Sequence, residues 1–372
     1  MIRPLSGIRK RQTARRGPSR FASWAPVVTL VLAVALDVST DYHFSPRNLQ
    51  FYRLLSVAPA LAASVWSVPA TVAIGIVACC VELLLAWTSG EFGSPVRVFT
   101  IAVIASVTGA AAYASHARQE RERTLSQVRT VAETAQQMVL RPMPQHLGPL
   151  DLGVLYVAAA AEARIGGDFY EALLTPHGVR LIVGDVRGKG LSAVGVASAA
   201  LGAFREAAYD APDLAQVAAR LELALTRYSE LIPGEESEER FATAVLVEVP
   251  SDLRSVRLVN CGHPPPILLH RGEVQVIDAT APSPPLALGG LIGNGYLIDA
   301  VPFQKGDLLL LYTDGVSETR DKAGTFYPLS RRLRQWPTAD PGALLTRLRQ
   351  DLVAYSGGHL DDDVAAVAVS YR

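Results

Sequence analysis

Charge is what this 372-residue chain has least of. Asp, Glu, Lys and Arg make up 19% of it, where an average soluble domain carries roughly 25%. With 49% hydrophobic residues alongside, that deficit excludes long disordered stretches, which need low hydrophobicity and high charge. It points instead to membrane segments. Net charge is also missing, since 35 basic residues meet 35 acidic ones. A dedicated nucleic-acid binder would carry a basic excess. Only three cysteines are present, Cys79, Cys80 and Cys261, and two of them are adjacent in an apolar run. That excludes a disulfide framework and any CxxC metal site. No GxGxxG follows a strand-like run, which disfavours a dinucleotide fold.

The zero net charge conceals a division. Up to Gln145 there are 15 Lys and Arg against 7 Asp and Glu; beyond it there are 20 against 28. A front part of +8 thus balances a rear part of −8. The front opens with a basic tail, residues 1–23. Four apolar runs follow: Trp24–Val38, Leu54–Pro69, Ala70–Trp87 and Val98–Ala114. A spanning helix needs about 20 apolar residues. The first three runs fall short of that individually, so two, three or four spans are compatible with the sequence; four fits best. Only Ser67 and Pro69 separate the second run from the third. Arg118, Arg121 and Arg123 flank the end of the fourth run. Basic flanks at both ends place both ends in the cytoplasm. Asp37 and Glu82 lie near span ends, where an interfacial position is the simpler reading and an intramembrane function the sharper one.

From Ala117 to Leu140 the chain turns polar, with Leu125, Val128, Val131, Ala135, Met138 and Val139 at helical spacing. Pro142 and Pro144 end that helix. A solvated linker (residues 116–145) and a two-helix coiled coil that forms a homodimer both fit its three heptads. Beyond it, residues 146–372 read as α+β: strand-like runs, two Ala- and Leu-rich helices at Leu191–Tyr209 and Asp213–Leu231, then more strands and shorter helices.

Acidic residues recur where strand meets turn. Asp168 sits in RIGGDFYE, Asp185 in LIVGDVRGKG and Asp314 in LLLLYTDGVSE; Asp361, Asp362 and Asp363 open the last strand. Any one alone suits a turn. Together they would repel unless a cation neutralised them. All are hard oxygen donors, which favours Mg²⁺ or Mn²⁺ over zinc. Two such ions about 4 Å apart can clamp a phosphate for in-line attack.

The segments LRPMP, IGGDFYE, GDVRGKG, FATAVLVEV, NCGHPPPILL, KGDLLLLYTDGVSE and DDDVAAVAV occur in one order between Met138 and Tyr371. In that order they resemble the PPM family of metal-dependent serine/threonine phosphatases, and within it the bacterial SpoIIE-like branch. The resemblance implies a β-sandwich flanked by helices, here preceded by an all-α transmembrane bundle of about four helices. It also implies two Mn²⁺ or Mg²⁺ ions and a metal-activated water that attacks phosphorus. Carried over by position, Asp168, Asp185 and Asp314 are the catalytic set. The metal ligands are Asp168, Asp185, the Val186 carbonyl, Asp314, Asp362 and Asp363. Arg187, Asn260 and His263 are the substrate-binding candidates: Arg187 either holds substrate phosphate or is a surface residue, and Asn260 and His263 belong to the architecture of the cleft. Arg187 stands where classical members have a histidine, which leaves the proton donor unassigned. By the same resemblance the substrate is a phosphorylated regulatory protein of the anti-sigma-factor-antagonist type. The enzyme would be a multi-pass protein of the cell membrane with its phosphatase domain in the cytoplasm. A catalytically weak sensor or binding module of the same fold is the alternative. Two lookalikes fail on a required residue. IGGDFY lacks the second acid of GGDEF, and GDVRGKG lacks the spacing and the Ser or Thr of a phosphate loop.

Overall fold

The computed structural model describes residues 20–43, 51–90, 92–158, 166–231, 241–289, 295–336 and 338–371. The basic tail up to Ser19 and the acidic stretch Glu235–Glu239 lie outside the described residues, as does the side chain of Asp37. The chain forms two compact units, residues 1–125 and 126–372.

The first unit is helical. It contains α1 (Arg20–His43), a 3-10 turn (Phe51–Ser56), α2 (Val57–Val65), α3 (Val68–Thr88) and the start of α4 (Pro95–Val139). Ser67 ends the gap between α2 and α3 as the N-cap of α3, with Pro69 in its first turn. Proline is tolerated there because the first-turn N–H groups have no helical partner. Two helical stretches, Val68–Thr88 and Pro95–Gln127, are long and apolar enough to cross a membrane; Trp24–Leu36 and Leu54–Val65 are shorter apolar helices. Ala33, Leu55, Ala78 and Ile104 form the core of this unit. Gly75 lets α3 approach α4 closely, since a Cβ there would enter the Thr108 side chain. Glu82 is fully buried and pairs with Arg97 at 3.2 Å. The polar helix expected over 117–140 is the continuation of α4, which runs unbroken to Val139.

The second unit holds two antiparallel sheets. One has the order β1 (His146–Leu147), β2 (Leu150–Val157), β11 (Val364–Tyr371), β10 (Leu308–Tyr312), β7 (Ile267–His270), β8 (Glu273–Val276). The other runs β3 (Phe169–Thr175), β4 (Gly178–Val186), β5 (Ala242–Val249), β6 (Ser255–Cys261), β9 (Asp299–Pro302). Alternate residues of both sheets, among them Leu152, Leu181, Val247, Leu309 and Val367, meet in one apolar layer. Period-two alternation puts every second side chain on that face. The outer faces are covered by helices. Helices α5 (Leu191–Asp210) and α6 (Leu214–Leu231) cover the second sheet through Leu201, Phe204, Leu221 and Leu225. Helices α8 (Leu329–Leu333) and α9 (Pro341–Tyr355) cover the first through Leu333, Leu344, Leu348 and Leu352. Asp340 caps α9 by accepting from Gly342 N and Ala343 N at 3.1 and 3.2 Å. One ion pair is sealed inside: Arg180 donates to Glu248 at 2.6 Å and to the carbonyls of Ala208 and Ala211 at 2.9 and 2.7 Å. The architecture is the helix-flanked β-sandwich that the sequence implied, with β1 and β9 as additional short edge strands.

Candidate metal and phosphate site

Four chain segments meet where the ends of the two sheets come together. Asp168 immediately precedes β3, and Asp185 and Val186 close β4. Asp314 starts the single turn α7 (Asp314–Ser317) after β10, and Asp361–Asp363 lead into β11. The register fixes the convergence: Thr313 N donates to Ala365 O at 3.0 Å, and Val186 N donates to Gly167 O at 3.3 Å. Glycine makes the approach feasible. A Cβ on Gly166 would occupy the Asp363 carboxylate, and one on Gly167 would lie 2.5 Å from Val186 O. One on Gly315 would strike the Asp363 carbonyl. The cleft so formed has a volume of about 300 Å³ and is lined by Asp168, Asp185, Val186, Asp314, Asp362 and Asp363, together with Arg187, Lys189 and Thr243.

The carboxylates are held by different partners. Thr313 Oγ1 donates to Asp168 Oδ2 at 2.9 Å and itself accepts from Ala365 N at 3.0 Å. Tyr156 OH donates to Asp363 Oδ2 at 3.0 Å, and Gln136 Nε2 at the end of α4 donates to Tyr156 OH at 2.6 Å and to Gly166 O at 3.3 Å. Lys189 Nζ donates to Asp362 Oδ1 at 2.7 Å. Asp363 is buried and Asp362 exposed, so these adjacent residues differ in what they offer the cleft.

Crowding shows in the proton affinities. Burial, then the charge of Asp185, holds the Asp168 carboxyl well above the usual carboxylate range. Burial and the neighbouring Asp314 push Asp185 up to about 7. Burial, Glu318 and Asp362 raise Asp314. Each is the response of a carboxylate losing water and facing like charge. A divalent cation would reverse both effects, and the donors are all oxygens, so their chemistry fits Mg²⁺ or Mn²⁺. Among the described residues, however, no three Asp, Glu, His or Cys side chains already converge on one ion position. Thr313, Tyr156 and Lys189 each bond one oxygen of Asp168, Asp363 and Asp362 in turn.

The other residues singled out in the sequence are placed differently. Arg187 lines the cleft, with its guanidinium 5.2 Å from the centre of the Phe241 ring. Asn260 and His263 do not line it. Asn260 Nδ2 donates to His263 O at 2.9 Å, and His263 N donates to Asn260 Oδ1 at 2.8 Å. His263 is buried, and its Nδ1 lies 3.0 Å from Thr243 Oγ1. Sequence reasoning did not single out Thr243, Tyr156 or Thr313. Thr313 could have been found beside Asp314 in YTDG; the other two carry no local signal.

A family model described as Stage II sporulation protein E (SpoIIE) matches residues 175–372, more than half of the chain. The chain belongs to the SpoIIE family. Its second unit is therefore a SpoIIE-type member of the PPM phosphatases, with Asp185, Asp314, Asp362 and Asp363 inside the matched range and Asp168 just before it. Protein IcfG of Synechocystis sp. is 26% identical over 234 residues, which are 56% of this chain and 36% of that protein. The match thus spans about a third of the curated relative's length. Among solved structures, the SiaA-PP2C domain of Pseudomonas aeruginosa superposes with a TM-score of 0.55 at 19% identity, covering 69% of this chain and 99% of that one. The RsbU and RsbW domains of Rv1364c from Mycobacterium tuberculosis give a TM-score of 0.49 at 25% identity, covering 60% of each chain. The SiaA likeness identifies the fold of this SpoIIE-family chain as that of a PP2C domain.

Proposed function

We propose that this SpoIIE-family chain is a membrane-anchored, Mn²⁺- or Mg²⁺-dependent phosphatase that removes phosphate from serine or threonine of a regulatory protein. The observation that carries the reading is the gathering of five aspartates from four segments in one cleft of a PPM fold. Asp168, Asp185, Asp314, Asp362, Asp363 and the Val186 carbonyl would hold two cations. When bound, the cations supply positive charge that neutralises phosphoryl oxygens and acidifies water. The chain's own residues do the rest. Thr313 fixes Asp168, and Tyr156 fixes Asp363, so that neither carboxylate is free to swing away. Arg187 and Lys189 bring positive charge to the mouth, where a phosphate group would enter. Water oxygen forms the new bond to phosphorus as the bond to the seryl or threonyl oxygen breaks, and a proton from water ends on that oxygen. The apolar helices Val68–Thr88 and Pro95–Gln127 would serve as the anchor, with Arg118, Arg121 and Arg123 on the cytoplasmic side. The partner is a phosphorylated protein of the anti-sigma-factor-antagonist type, in keeping with the resemblance to the SpoIIE-like branch.

The test is manganese-dependent hydrolysis of a phosphoserine peptide by the full chain. Asp185→Ala or Asp314→Ala should abolish it; hydrolysis that survives either change would refute the mechanism. A second reading, a binding module of the same fold without catalysis, is favoured by one observation, the Lys189 ammonium bonded to Asp362. Manganese titration separates the two, because such a module would show no paired-site binding.

A further inference from the structure

Thr243 has no role in any reading given so far. It stands near the start of β5, directly opposite Asp185 on β4. Directly opposed residues of an antiparallel pair project to the same face, with Cβ atoms about 5 Å apart. Both line the cleft. What distinguishes Thr243 is the group behind it. Its Oγ1 is 3.0 Å from His263 Nδ1. The Asn260 side chain clamps His263 through both its backbone N–H and its carbonyl, so the ring cannot wander.

The proton positions follow from what surrounds the ring. His263 is sealed from solvent, and burial pushes its pKa down to about 3, so the imidazole is neutral. A neutral imidazole has one N–H and one bare nitrogen. The backbone group that stabilises the ring's proton is the Tyr312 carbonyl, which can only accept. Nε2 makes no bond of ordinary geometry, and with Nδ1 turned to Thr243 it is the nitrogen left for that weak interaction. The 3.0 Å contact with Thr243 admits a proton on either ring nitrogen, and the Tyr312 backbone favours Nε2. With the proton on Nε2, Nδ1 can only accept, and the Thr243 hydroxyl donates its single proton backwards to His263. What it turns to the cleft is lone pairs, beside Asp185.

We propose that His263 carries its proton on Nε2 and that Thr243, oriented by it, accepts a hydrogen bond from the attacking water and so turns a lone pair of that water towards phosphorus. The proposal rests on the phosphatase reading above. Thr243 takes no proton: the water oxygen bonds to phosphorus, the phosphorus–seryl oxygen bond breaks, and the proton leaves for the seryl oxygen. Thr243 is thus a catalytic residue in contact with a reacting molecule. His263 is a positioning residue that acts through it.

The experiment uses the full chain in detergent micelles with Mn²⁺ and a phosphoserine peptide. Thr243→Val removes the hydroxyl at nearly constant volume. It should lower kcat by about 10–100-fold, the scale of a misplaced reactant, while KM and Mn²⁺ affinity stay unchanged. Thr243→Ser should restore kcat. His263→Leu should lower kcat as much as Thr243→Val, and the double variant should lose nothing more, as expected of two groups acting as a unit. His263→Asn, whose amide oxygen can stand in for Nδ1, should retain more activity than His263→Leu. A readout independent of turnover is the ¹⁵N resonance of His263 in histidine-labelled protein. Nδ1 should appear as an unprotonated acceptor, and its signal should move in Thr243→Val. A protonated Nδ1, or a fully active Thr243→Val in an active wild type, overturns the proposal alone. A wild type without Mn²⁺-dependent hydrolysis overturns the phosphatase reading and the proposal with it.

Discussion

Replacing Asp185 by asparagine should stabilise the metal-free protein, although it removes a residue of the proposed machinery. The reason is the cost of ionising Asp185 in its folded surroundings. Its carboxyl is held at about 7 against an ordinary 3.8. At about 1.4 kcal/mol per pH unit, full ionisation then costs about 4 kcal/mol. The sign is opposite to that of a salt-bridged aspartate. Between pH 4 and 7 the folded state holds the proton and the unfolded chain has released it. Stability therefore falls as pH rises through that window, and the whole cost is present above pH 7. Asp168 and Asp314 share the same crowding, so a proton retained on one relieves the others. That sharing halves the ceiling, to about 2 kcal/mol. For a unit of this size the gain corresponds to roughly 4–8 °C in Tm. The assay is thermal unfolding of the full chain in detergent with EDTA, at pH 5 and pH 8. Asp185→Asn should melt above wild type at pH 8 and match it more closely at pH 5. Added Mn²⁺ should reverse the order, since a ligand at 100 times its Kd stabilises wild type by about 2.7 kcal/mol and leaves a variant that does not bind it unchanged. A metal-free wild type that gains stability from pH 5 to 8, or an Asp185→Asn variant that melts lower at pH 8, would refute the reasoning.

Three further outcomes follow from the geometry. Tyr156→Phe removes the donor to Asp363 and keeps the ring, so Mn²⁺ affinity measured by calorimetry should weaken about 10–100-fold, the usual cost of losing a group that orients a ligand; unchanged affinity would show that Asp363 is held by other means. Gly166→Ala places a methyl group in the Asp363 carboxylate, and it should lose the Mn²⁺-induced rise in Tm while circular dichroism stays that of the folded chain. Arg180→Met leaves Glu248 buried with only Arg257, 2.9 Å away at its other oxygen, and should cost about 3–5 kcal/mol in urea unfolding; a loss below 1 kcal/mol would mean that Glu248 takes up a proton instead.

How much of this could be read from the residues depends on whether a pattern is local. Apolar runs that end in aspartate, LIVGD and LLLLYTD, announce buried strands with a polar end, and the structure has β4 and β10 there. β9 is four residues long at a sheet edge, half-buried at best, and DAVP has neither alternation nor an apolar run to mark it. The division between α2 and α3 was legible because Ser67 and Pro69 carry the chemistry of a helix start. The continuity of α4 was hidden by composition. Its face turns polar after Ala114, yet no Gly or Pro interrupts the stretch from Ala110 to Leu140, so nothing stops the helix before the prolines. Of the three consecutive aspartates the family pattern favours Asp362, but a register shift of one residue would put Asp361 or Asp363 in its place. The turn that leads into β11 is what sets Asp363 against Tyr156 and Asp362 against Lys189. Tyr156 and Thr243 lay beyond reach because their partners are 207 and 20 residues away, and pairs of that kind are set by register across a sheet.

The two halves of the neutral total now have separate physical causes. The basic excess before Gln145 accompanies apolar helices, two of them long enough to cross a membrane, and in the proposed anchor its positive charge would set orientation. The acidic excess after it is not spread evenly over a solvated surface, because five of its carboxylates share one cleft. Like charges gathered at partly buried positions raise each other's pKa and oppose folding. Three of the polar contacts there offset that stress without metal: Thr313 on Asp168, Tyr156 on Asp363 and Lys189 on Asp362. Only Lys189 carries a charge, and it reaches the most exposed member of the group. Asp168, which is buried, and Asp185, which is half-buried, keep raised proton affinities in spite of these contacts. Among the described residues no side-chain cation is bonded to either of them, so a divalent ion held there would relieve the most repulsion. On this argument Asp168 and Asp185 would be the proposed ligands that gain most from a bound ion. Asp362 would gain least, since Lys189 already supplies it with positive charge, which would have to be displaced before Asp362 could serve as a ligand.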